Sequence, residues 1–155
     1  MTSVSTTSGD SWSVAELLDP IQAPDCEGSL IGLPAVGPGK DRLAMSHPRC
    51  TAAWCAPLPI YSRRYNMSLD LSDDGLRGWR QPTALLHIGS SGYSSLASLG
   101  PSLVGVLFSC GTNGTKFNGG PATYDESVVL STVALDAGPG VPEPAWITGC
   151  DDAGW

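Results

Sequence analysis

The chain has 155 residues, 41% of them hydrophobic, and a formal net charge of −7. That length suits one domain able to bury roughly 70% of its unfolded surface. The acidic excess excludes affinity gained by neutralising phosphates, so no nucleic-acid partner is expected. The longest apolar stretch, around Leu103 to Phe108, is far shorter than the ~20 residues of a membrane span, so no membrane partner is expected either.

Nineteen Gly and thirteen Pro, against only two Lys and four Glu, disfavour long helices. Proline removes a backbone donor, glycine raises the entropic cost of ordering, and the side chains that solvate exposed helix faces are scarce. In chain order, residues 1–12 form a polar, Ser/Thr-rich N-terminal arm without the basic and apolar regions of a secretory signal. Ser13 and Glu16 fit a capping box, with Leu17 and Leu18 closing one apolar turn before Pro20. This predicts one short N-terminal helix over 14–19. Residues 20–28 read as a connector, Ser29 to Leu33 as a short strand, and residues 34–41 as a loop.

The apolar run from Thr51 to Tyr61 is crossed by Pro57 and Pro59, which confines it to an edge or a polyproline-like stretch. Met67, Leu69 and Leu71 alternate with Ser68 and Asp70, the pattern of a strand with one buried and one wet face. Asp73-Asp74-Gly75 ends it as a turn. Thr83 to Ile88 and Ser102 to Ser109 read as buried strands, with Gly105 marking a bulge or a close approach. The Ser/Gly-rich residues 89–101 between them read as a loop with one helical turn near Tyr93 to Leu99. Asn113-Gly114 and Asn118-Gly119 are turn signals. Ser127 to Leu135 is the best strand, and the tail from Gly138 is broken by prolines. The expected fold is mainly β: a loop-rich antiparallel sandwich or small barrel, jelly-roll-like, over 13–145, followed by an acidic tail over 146–155.

Chemical motifs are sparse. Gly89-Ser90-Ser91-Gly92 misses the Gly-x-Ser-x-Gly spacing because position 93 is Tyr. His87 lies in an apolar run and reads as a hydrogen-bonded core residue, while His47, before Pro48, reads as exposed. Asp70, Asp73 and Asp74 fail the EF-hand pattern at its twelfth position, Gln81, and read as a solvated turn. Gly37-Pro38-Gly39-Lys40 ends in Asp41, where a phosphate loop needs Ser or Thr. His47, Cys50 and Cys55 are weak zinc candidates lacking a fixed fourth ligand. An odd number of cysteines, five, suits a reducing compartment. No catalytic residue and no cofactor are expected.

All eight Lys and Arg lie between Lys40 and Lys116, so both ends are acidic around a mildly basic middle. Such ends suit docking on another surface. The expectation is a non-enzymatic structural subunit of a particle, most concretely a viral or phage capsid or decoration protein. It would act through contacts with other copies of itself or a major shell protein, on the outer shell of a virion assembled in a reducing cytoplasm. The expected interface residues are Thr2, Trp12, Arg63, Arg64, Arg77, Trp79, Arg80, Trp146 and Trp155. The alternative is a secreted or surface-displayed, extracellular β-rich binding module, lectin-like or adhesin-like. Its aromatic residues would stack on sugars and the sequons at Asn66 and Asn113 would matter.

Overall fold

The computed structural model describes residues 1–18, 21, 23, 26–35, 42–49, 64–76, 78–111 and 127–135, with Gln81 for its backbone only. Among these residues there are seven strands and no helix: β1 (Ser29–Leu33), β2 (Arg42–Pro48), β3 (Met67–Ser72), β4 (Trp79–Leu85), β5 (Ser91–Gly100), β6 (Leu103–Cys110) and β7 (Ser127–Ala134). They form two antiparallel sheets, one ordered β1-β2-β3-β4 and the other β5-β6-β7. The protein is mainly β, as its composition requires. No helix among the described residues is long and apolar enough to cross a membrane.

Both sheets contribute to a single hydrophobic cluster. Ala44, Met67, Leu69, Leu71 and Ala84 come from the first sheet, and Leu96, Val104, Val106, Phe108 and Cys110 from the second. Along β6 the buried residues Val104, Val106 and Phe108 stand opposite Val133, Ser131 and Val129 of β7, so period-two alternation sets the register. The sheets also meet through polar contacts on β5, which lies against β1 and β2. The Ser46 hydroxyl donates to Ser94 Oγ at 2.8 Å, Ser94 Oγ donates back to the Ser46 carbonyl, and Leu96 N–H donates to Ser29 Oγ at 3.1 Å. Small hydroxyl residues thus let two backbones approach closely while satisfying their own polar atoms.

Several expectations change here. Residues 89–101 do not form a loop: most of them make β5, because pairing with β6 and burial of Leu96 override their Ser/Gly composition. The strand expected over Thr83 to Ile88 starts earlier, at Trp79, and contains Pro82. Proline is tolerated because β4 is an edge strand and its register with β3 shifts between Leu69 and Leu71. β3 is buried on both faces, not one. No bulge falls at Gly105; a methyl group there would meet the Leu99 side chain at 3.1 Å.

The helix expected over 14–19 is absent from its described part, residues 14–18. Glu16 instead forms a backbone bridge with Thr2, each N–H donating to the other's carbonyl. Ser13 Oγ accepts the Val4 N–H at 3.0 Å rather than capping a helix. Residues 2–16 form a closed ribbon. Its turn has Ser8 and Gly9 at φ 55° and 97°, the left-handed pair that suits a tight hairpin, and the Asp10 N–H donates to the Thr7 carbonyl. Ser5 Oγ accepts the Gly9 N–H, Thr7 Oγ1 accepts the Ser11 N–H, and Trp12 Nε1 donates to the Gly9 carbonyl. The arm's own hydroxyls hold it, so its order is no evidence of a partner.

The stretch Thr51 to Tyr61, both Asn-Gly turns and the tail from Gly138 onward lie outside the described residues. Urea titrations should rank three substitutions. Leu69→Ala, at a fully buried position, is expected to cost about 2–5 kcal/mol. Gly28→Ala places a methyl 2.7 Å from the Ser46 carbonyl oxygen and is expected to cost about 1–3 kcal/mol. Gly32→Ala meets nothing within 4 Å and is expected to leave stability unchanged or slightly raised.

Candidate functional site

The most unusual chemistry on β3 is Asp70, a carboxylate with no solvent exposure. His47 pairs in register with Ser68, which makes it a diagonal neighbour of Asp70 on the same sheet face. His47 Nε2 lies 2.9 Å from Asp70 Oδ2, and Arg49 Nη1 lies 3.5 Å from Oδ1. The expectation of an exposed His47 is therefore overturned: β2 continues through Pro48, and the ring is only 1% exposed. Its other nitrogen, Nδ1, is 2.8 Å from the Pro48 carbonyl oxygen, which can only accept. Nδ1 therefore carries a hydrogen, and one proton lies between Nε2 and Oδ2. Neither ring nitrogen remains to accept a proton from a nucleophile or to ligate a metal.

The remaining polar groups of β3 are paired as well. Ser68 Oγ donates to the Asn66 carbonyl and Ser72 Oγ to Asp74 Oδ1. Asp73 follows the strand and takes Arg42 Nε on one oxygen at 3.1 Å and Arg80 Nη2 on the other at 3.0 Å. Asp74 accepts the Gly78 N–H at 2.7 Å, closing the turn around Gly75. Asp73 and Asp74 thus lie in the expected turn and face cations and donors of the protein itself, whereas Asp70, expected in the same solvated turn, is sealed within β3 because the β2–β3 register brings His47 and Arg49 to it. Among the described residues no group of three His, Cys, Asp or Glu side chains is arranged to hold a metal ion.

Those of the expected interface residues that the structure describes lie on different elements. Thr2 and Trp12 belong to the ribbon, with Trp12 63% exposed. Arg64 lies 5.3 Å over the Tyr93 ring, beside the second sheet, while Arg80 pairs with Asp73 beyond the end of β3. Trp79 is half-buried on β4, its indole N–H buried without a hydrogen-bond partner. Arg63, Arg77, Trp146 and Trp155 lie outside the described residues, as do Cys50 and Cys55. Cys26 keeps its thiol, which donates to the Gly92 carbonyl at 3.4 Å. Cys110 is disulfide-bonded, which the odd cysteine count, read as better suited to a reducing compartment, did not lead one to expect. His87 is buried as expected, its ring 6.4 Å from that of Phe108.

Sequence reasoning missed the outer face of the second sheet. β5, β6 and β7 contain no Asp, Glu, Lys, Arg or His, whereas the first sheet carries Arg42, His47, Asp70 and Arg80. On this neutral sheet Tyr93, Leu99, Leu103, Leu107, Val128 and Leu130 are 37% to 68% exposed. Leu107 stands directly opposite Leu130, and Ser109 opposite Val128. The available signal was the apolar residues at alternate positions in both Ser102 to Ser109 and Ser127 to Leu135, which left hydrophobes for two faces.

The sequence matches no family model and no curated protein. Removing Asp70 tests the buried pair. Asp70→Ala leaves His47 and Arg49 without their carboxylate and is expected to cost about 3–5 kcal/mol in denaturant unfolding. Asp73→Ala, at a half-exposed position, is expected to cost about 1 kcal/mol or less.

Proposed function

We propose that the chain is a non-enzymatic structural subunit acting through protein–protein contacts, most concretely a capsid or decoration protein of a viral or phage particle. The two sheets are read as a sandwich of jelly-roll type, their inward faces sharing one core cluster. The observation that carries the reading is the neutral, apolar outer face of the second sheet in a chain of net charge −7. A contiguous exposed apolar surface of this kind marks an interaction site. The partners in this reading are other copies of the chain or a shell protein, and the place is the outside of a virion.

One observation favours a second reading, an exported binding module: the disulfide at Cys110. Such bonds persist in oxidising settings, including cell and virion surfaces. Against a glycosylated module, Asn66 is half-buried and its amide oxygen accepts the Gly89 N–H.

Sedimentation velocity over a hundredfold concentration range separates the readings. Association growing with concentration is expected, and a monomer throughout would sink the structural-subunit reading. Reversing the charges of Arg63 and Arg64 is expected to weaken association, with the effect shrinking as salt is raised. Indifference to both changes would remove these two residues from the interface.

A further inference from the structure

Two apolar surfaces of this molecule leave each other uncovered. One is the outer face of the neutral sheet. The other is the N-terminal ribbon with the residue that follows it, where Val4, Trp12, Val14 and Leu17 are 46% to 84% exposed. Among the described residues, the hydrogen bonds of residues 2–16 run within the ribbon, and none of these residues joins the core cluster. We propose that the ribbon of one copy lies on the outer face of the β5-β6-β7 sheet of a second copy. This rests on the structural-subunit reading and names the two surfaces that meet.

Three arguments select a second copy's ribbon as the occupant. The first is charge. At −7 the chain repels its own copies, and the ribbon itself carries Asp10 and Glu16, so it docks most readily on strands that carry no like charge and beside Arg64, whose guanidinium stands over Tyr93 of that sheet. The second is size. Three strands of eight to ten residues make a face about 30 Å long and 15 Å wide, from rise and spacing. Its flat area, roughly 450 Å², is below the ~800 Å² per partner of a standard interface. A ribbon given and a ribbon received, reciprocated in a pair or repeated around a ring, supply two such contacts and reach that size. Face-to-face pairing alone would fall short and leave the ribbon's hydrophobes in water. The third is readiness. The ribbon is already closed by its own hydrogen bonds, so docking orders little new chain.

The test uses two full-length-derived variants. One lacks residues 1–17 and keeps its sheet face. The other keeps its ribbon but carries Leu107→Asp with Leu130→Asp, at positions where both side chains are exposed. Each alone is expected to associate at least tenfold more weakly than the full chain in analytical ultracentrifugation. Mixed one to one, they are expected to form a heterodimer, weaker than the parent assembly because only one ribbon meets one face. Should the deletion perturb folding by circular dichroism, Val14→Asp with Leu17→Asp replaces it. Undiminished self-association of the ribbon-less variant, or a mixture that stays monomeric, overturns the ribbon-to-face contact while leaving assembly by another surface intact. A full chain that never associates defeats the structural-subunit reading itself.

Discussion

A carboxylate sealed in the middle of a strand restricts everything near it. Asp70 has no access to water, and an unpaired charge in such a place costs several kcal/mol. Only a β2–β3 register that brings His47 and Arg49 to it is tolerable. A slip of one residue would turn the His47 ring to the other face of the sheet. The same register sets Ala44 opposite Leu71 and Ser46 opposite Leu69, which supplies the inward side of the core. On the far side the β3–β4 ladder shifts register around Asp70, where Pro82 has no N–H to contribute. Within β4 the Thr83 Oγ1 donates to the Arg80 carbonyl across this irregular stretch.

From that fixed register the position of β5 follows. Ser46 is placed where its hydroxyl meets Ser94, and Ser29 where its oxygen meets the Leu96 N–H. A second tie runs through Tyr65 and Ser90, and through the Ser91 N–H donating to the Arg64 carbonyl. The two sheets are thus joined by an apolar cluster and by backbone and hydroxyl bonds at its margin. Short hydrogen-bonding side chains serve better here than larger hydrophobes, which would hold the strands apart.

The two sheets divide the chemistry unequally. Charge is confined to the first, where it is spent on internal pairs: His47 and Arg49 with Asp70, Arg42 and Arg80 with Asp73. The second is neutral and apolar outside as well as in. Edge strands with exposed apolar side chains are prone to unwanted pairing, and natural sheets usually blunt them with charge. Its absence from β5 and β7 is the physical reason for the proposal that a partner covers that surface.

Much of the strand content was legible in the residues alone. Ser29 to Leu33, Ser102 to Ser109 and Ser127 to Leu135 are strands within a residue of where their β-branched and apolar runs place them, and Asp73-Asp74-Gly75 turns as its composition dictates. A hydrophobic run needs only burial, and burial is written in the run itself. β5, the ribbon and the buried His47–Asp70 pair were not legible, because Ser, Gly, His and Asp favour loops and water until a partner satisfies them. Which partner arrives is a matter of register and sheet contact between residues distant in the chain, and no local pattern contains it. Composition therefore determined an antiparallel β protein with few helix formers. Tertiary structure decided which polar residues go inside, and which sheet is left without charge on its outer face.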